Sequence, residues 1–219
     1  MKRRITTQIV VSLAVFAILI SSGCSSKTCL WNGKDFSGWK LHVDDKKVDV
    51  HSVWSVKDGV IHCTGIPNGY MQTEAEYSGY YLHLEWRWAE GEVKRRNSGV
   101  LLHTSGPDKI WPKCIEAQLM SENAGDFWLM DGTAVTVDGK RTVSPGKPTN
   151  VKKKQDHSEK PIGQWNTYDI YCKGDTIRLF VNGVLQNDAT DASVTSGKIC
   201  LQSEGAPIEF RNIYIEPLK

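Results

Sequence analysis

The sequence predicts an all-β chain, a sandwich or jelly roll, on three observations. Short runs alternate apolar and polar residues, the period of strands with one buried face. Turn signals separate the runs, among them Asp58-Gly59, Lys173-Gly174-Asp175 and Asn182-Gly183. No segment of helical length repeats its apolar residues every 3.6 or so positions.

The chain opens with a cationic head, Met1-Lys2-Arg3-Arg4, then an apolar run from Ile9 to Ile20 broken only by Ser12. Ser21-Ser22-Gly23-Cys24 follows. A charged head, a short apolar core and small residues before a cleavage point predict a secretory signal over residues 1–23. The run is shorter than the roughly 20 residues of a spanning helix. A cysteine straight after Ser-Gly resembles a bacterial lipobox, which makes Cys24 the lipidated first residue of a mature domain, 24–219. The expected location is the bacterial cell envelope, lipid-anchored, facing the periplasm or the cell surface.

Lys2, Arg3 and Arg4 leave with the signal and no acid does. The 27 basic and 25 acidic residues of the whole chain thus come close to balance, and no electrostatic case for nucleic-acid binding survives. Five of the six cysteines remain beside Cys24: Cys29, Cys63, Cys114, Cys172 and Cys200. An odd set cannot all pair within the chain, and none has zinc-cage spacing. Most are expected as buried thiols in strands.

The strands read in order. Val53–Val56 and Val60–Cys63 flank Asp58-Gly59 as a hairpin. Tyr81–Trp88 puts Leu82, Leu84, Trp86 and Trp88 on one face, and His83, Glu85 and Arg87 on the other. Gly99–Thr104, Cys114–Ser121, Tyr168–Cys172, Thr176–Val181, Lys198–Gln202 and Ile208–Ile215 complete the set. Between Gly139 and Gly163 the composition shifts to Pro145, Pro148, Pro161 and Lys152-Lys153-Lys154. This reads as a long loop over one end of the sandwich, with a lid over a cleft as the sharper alternative.

An ordered series of motifs carries a resemblance. Leu30-Trp31-Asn32-Gly33-Lys34-Asp35-Phe36-Ser37-Gly38-Trp39 is followed by Leu84-Glu85-Trp86-Arg87, Asn97-Ser98-Gly99-Val100 and Ile115-Glu116-Ala117-Gln118-Leu119. Gly163-Gln164-Trp165-Asn166, Val181-Asn182-Gly183, Gly197–Gln202 and Ile208–Ile213 close it. Over residues 30–218 this resembles the 3-keto-disaccharide hydrolase family of exported bacterial proteins. The resemblance implies a concanavalin-like jelly roll of two antiparallel sheets. It also implies action on 3-keto-glycosides by 1,2-elimination, by hydration of the 3-keto-2-hydroxy-glucal, or by net hydrolysis.

A ketone at carbon 3 acidifies the proton on carbon 2, and the enolate left behind expels the group on carbon 1. Such a site needs a base, an oxyanion stabiliser and an acid for the leaving oxygen. Glu116 and Gln118, two apart on one strand, share a face opposite Ile115, Ala117 and Leu119. Glu116 is the first candidate for base, or for a metal-binding carboxylate should a divalent metal take part; Gln118 would position a hydroxyl. His103, where the family often has Arg, is the second catalytic candidate. Ser121 stands where the family tends to have an acid. Glu85, Arg87, Lys113, Asp126, Trp128 and Arg211 are candidate substrate-binding residues, Trp128 as an aromatic platform and Lys113 for an oxyanion. Trp111 is either a second platform or loop packing; Trp39, Trp54, Trp86 and Trp165 are expected in the core. Two other functions stay open: a non-catalytic carbohydrate-binding lipoprotein, and an envelope interaction protein without a sugar site.

Overall fold

The computed structural model describes residues 27–93 and 95–218; the signal segment and Cys24 lie outside the described residues. Eighteen strands and one helical turn are laid out in this order. The first nine strands are β1 Thr28–Cys29, β2 Trp39–Val43, β3 Trp54–Lys57, β4 Val60–Cys63, β5 Gly69–Thr73, β6 Tyr77–Ser78, β7 Tyr80–Trp88, β8 Gly99–Ser105 and β9 Lys113–Gln118. The rest are β10 Phe127–Leu129, β11 Ala134–Val137, β12 Lys140–Val143, β13 Thr149–Val151, β14 Asn166–Lys173, β15 Thr176–Val181, β16 Val184–Ala189, β17 Ser196–Ser203 and β18 Ile208–Pro217. The helical turn, Val50–Val53, starts at Asp49, whose carboxylate accepts the His51 N–H.

Two antiparallel sheets face each other. The cleft sheet runs β13-β10-β9-β8-β17-β5-β2, with β6 beside β17. The far sheet runs β16-β15-β14-β7-β18-β4-β3, with β1 beside β18. A separate ribbon pairs β11 with β12. The fold is a concanavalin-like jelly roll. On β7 the two-residue period holds as expected: Leu82, Leu84, Trp86 and Trp88 are buried, and the residues between them are half-exposed. They meet Val100, Leu102, Ile115, Ala117, Ile199 and Leu201 from the cleft sheet in one core. Each buried Leu, Ile or Val among them contributes about 1.5–3 kcal/mol by leaving water.

Cys63, Cys114, Cys172 and Cys200 are buried free thiols in β4, β9, β14 and β17; Cys29 is free and exposed. Trp39, Trp54 and Trp86 are core residues. Trp165 is not: it lies half-buried on the outside of the far sheet, beneath the guanidinium groups of Arg87 and Arg211. Cation–π contact suits it there, since the indole keeps one edge wet.

The outer face of the cleft sheet is not simply wet. Tyr70, Leu101, Cys114, Met130 and Cys200 form a second buried cluster there, with Trp111 and Trp128 against it. The segment before β9 straps across this face. Asp108 is held by Lys40 Nζ at 2.6 Å, Gln72 Nε2 at 3.0 Å and the Tyr70 hydroxyl at 3.2 Å. Lys109 adds an ion pair to Asp131 at 2.9 Å.

Candidate functional site

Strand β9 points Glu116 and Gln118 outward, as their spacing predicts, and the strap and neighbouring loops then bury them. A cavity of about 140 Å³ lies over them. Glu116, Gln118, Gln202, Asn97 and Glu204 supply its polar groups; Trp111, Trp128, Met130 and Pro148 its apolar walls; Arg95 stands at its rim. Trp128 sits directly across from Glu116 in the β9–β10 register. Trp111 is held at φ +56, a conformation a bulky residue adopts only where its surroundings impose it.

Glu116 is 2 % exposed, and its Oε1 has no hydrogen-bond partner in the protein. Burial first, and the nearby charge of Glu204 second, hold its carboxyl well above the usual carboxylate range, against a weak contact from the Gln202 amide that favours the ionised form. Burial also raises Glu204, but a hydrogen bond from Asn97 and the charge of Arg95 oppose that rise. Two carboxyls in one pocket are thus pushed unequally, the condition that separates an acid from a base. Gly99 makes room for this. A Cβ there would stand 2.2 Å from Glu116 Oε1 and 2.8 Å from Gln202 Oε1.

Gln118 is partly committed: its Oε1 accepts the N–H groups of Leu119 at 2.8 Å and Met120 at 2.7 Å. Its amide nitrogen is what remains for a ligand.

Several expected site residues lie elsewhere. His103 points into the sandwich. The β8 register shifts between Leu102 and Ser105, and His103 takes φ +55, so the ring leaves the face of Leu101. It packs edge-on against Tyr80, its Nδ1 lies 3.0 Å from the Val194 carbonyl, and burial lowers its pKa to about 4. Glu85, Arg87 and Arg211 lie on the opposite sheet, because β7 and β18 turn their polar faces away from the cleft. Glu85 accepts from Arg211 Nε and from Asn212 Nδ2, both at 2.6 Å; Arg87 pairs with Glu209 at 2.5 Å. Lys113 is exposed at the start of β9, outside the residues lining the cavity. Asp126 is buried as a clamp: it accepts the Lys153 N–H at 2.9 Å and Asn150 Nδ2 at 3.0 Å. Trp128 and Gln118 are where the sequence put them.

The 139–163 segment is a wall rather than a loose lid. Pro148 lines the cavity, β13 pairs with β10, and Lys153, Lys154 and Ser158 are bonded to Glu122, Gln186 and Val181. A larger hollow of about 510 Å³ lies on the far sheet around His83, Glu85, Asn212 and Tyr214. Its carboxylate is already neutralised by Arg211, so the smaller cavity, with its unpaired carboxyl, is the stronger chemical candidate. Among the described residues no group of three or more His, Cys, Asp or Glu could hold a metal ion, and no helix is long and apolar enough to cross a membrane.

Sequence reasoning missed Glu204, and quoted Gln202 without assigning it a task. The signal was present: Gln202-Ser203-Glu204 mirrors Glu116-Ala117-Gln118 in its spacing of two, with Gln202 on β17 and Glu204 just past its end.

Residues 26–216 match the family model described as a 3-keto-alpha-glucoside-1,2-lyase-like domain. Two solved structures of a proposed glycosyl hydrolase from Parabacteroides distasonis ATCC 8503 are similar, each with a TM-score of 0.63 over 88% of this chain. They cover 94% and 100% of their own chains, at 24% and 23% identity. A carbohydrate-binding module from Bacillus subtilis matches with a TM-score of 0.57 at 13% identity, covering 82% of this chain and 95% of its own. At these identities the likeness shows the fold alone. No curated protein matches this chain.

Proposed function

This chain belongs to the 3-keto-alpha-glucoside-1,2-lyase-like family, and from that premise we propose that it cleaves 3-keto-glycosides by elimination, with Glu204 as base and Glu116 as acid. At the coarser level it is a carbohydrate-active, glycosyl-hydrolase-like jelly-roll domain. The observation that carries the finer reading is the unpaired, proton-retaining Glu116 beside the more readily ionised Glu204.

Glu204 takes the proton from carbon 2 of the oxidised ring. The electron pair moves into the enolate, then forms the double bond between carbons 1 and 2 as the glycosidic oxygen departs. Glu116 gives its proton to that oxygen. The products are an alcohol and a 3-keto-2-hydroxy-glucal, and a proton passing from Glu204 to Glu116 resets the pair. Water added across the new double bond by the same two groups completes a net hydrolysis. Trp111 and Trp128 offer faces for the apolar side of the ring. This elimination needs no oxocarbenium-like state between paired carboxylates. The exported, lipid-anchored location belongs to the same proposal and rests on residues 1–24.

The test uses 3-keto-glucosides with two aglycones, a nitrophenol and a simple alcohol. Removing the base in Glu204→Gln lowers release of both by roughly 10²–10⁴-fold. Glu116→Gln slows the alcohol far more than the nitrophenol, which leaves without a proton. The rate rises with pH as Glu204 ionises and falls as Glu116 does, both limbs above ordinary carboxylate values. Sugar binding with no release from the oxidised substrate would leave the non-catalytic binding reading in its place.

A further inference from the structure

Gln202 has no task in the elimination, yet its placement is costly. It is 1 % exposed, and beyond a loose contact with the Glu116 carboxyl its amide nitrogen and amide oxygen lack a partner in the protein. Burying an unpaired polar group costs about 1–3 kcal/mol, and native folds keep few such groups. Its backbone cannot drift to relieve this. It pairs with Tyr70 of β5, and its carbonyl accepts the Ser98 hydroxyl at 2.8 Å. Gln118, by contrast, spends its oxygen on the backbone. The missing side chain of Gly99 gives Gln202 its room beside Glu116.

An amide offers one donor and one acceptor at a fixed spacing. A 3-keto-pyranose presents, side by side, a carbonyl oxygen that can only accept and a hydroxyl that can donate. We propose that Gln202 reads this pair, with Nε2 donating to the carbon-3 oxygen and Oε1 accepting from an adjacent hydroxyl. The assignment rests on the keto-glycoside reading above. The bond to the carbon-3 oxygen strengthens as that oxygen becomes an enolate, because the acceptor gains charge. Gln202 therefore acts more on kcat than on KM, and acts before the leaving group departs.

The experiment compares the full chain with Gln202→Glu, which keeps the shape but turns the donor into an acceptor, and with Gln202→Met, which removes both functions. Two readouts are used: aglycone release, and exchange of the carbon-2 proton with deuterium from solvent, which reports the enolate directly. The expected result for Gln202→Glu is a loss of about 100–1000-fold in kcat and in exchange, with a smaller change in KM. Release then becomes insensitive to the aglycone, the reverse of Glu116→Gln. Wild-type activity with exchange unchanged in both variants overturns the role of Gln202 and leaves the elimination standing. A wild-type chain inert towards the oxidised sugar overturns both. Should Gln202→Glu fail to fold by circular dichroism, Gln202→Met decides, with the same exchange loss expected.

Discussion

A carboxyl deprived of water holds its proton, and at Glu116 this ties chemistry to stability. Its folded pKa lies above the unfolded one, so the folded state binds the extra proton. The stability this gives is present at low pH and is lost as pH rises towards the folded value. Glu116→Gln removes the titration, so thermal melts at pH 8 should place the variant above wild type, with the gap closing near pH 4. A variant that loses the proton donor yet is more stable at alkaline pH marks strain kept for function. The outward direction of Glu116 was legible from a two-residue period. Its proton affinity was not, because the segments that bury it, and Glu204 just past β17, come from distant parts of the chain. His103 misled for a related reason: alternation assumes an unbroken ladder, and one bulge in β8 turned the ring inward.

Elements with both a clear period and a turn signal could be read directly, β7, β14, β15 and β18 among them. The short strands β10 to β13 could not, because three or four residues carry no period and take strand form from their neighbours. Those same elements build the cavity wall. Asp126 holds the wall by joining the β9–β10 turn to β13 and to the chain just after it. Asp126→Ala leaves those donors unpaired, at a cost of about 1–3 kcal/mol, or a melting point lower by several degrees. Pro148 then loses its support while Glu116 and Glu204 keep their places. The kinetic signature is therefore a raised KM with kcat changed less, read from initial rates on the nitrophenyl substrate.

At the scale of the molecule, the two sheets divide the labour. The outer face of the cleft sheet carries Glu116 and Gln202 with unpaired buried atoms; the outer face of the far sheet carries Glu85–Arg211 and Glu209–Arg87, each already paired. The far sheet's polar face should therefore be replaceable. The double variant Glu85→Gln with Arg211→Met is expected to release aglycone at the wild-type rate, measured beside Glu204→Gln as the dead control. The family resemblance alone could not divide these residues, since motif order does not say which sheet faces the substrate.

The middle of each sheet is filled late. Strand β17 lies between β8 and β5, and β18 between β7 and β4, yet they are the last two strands described. Until both have been synthesised, each sheet is two halves with bare inner edges, and Gln202 has no wall to stand in. Such distant pairings close slowly. Closure therefore waits on strands that are synthesised late. A nascent chain left open until β17 and β18 have emerged suits the unfolded passage that the proposed export requires.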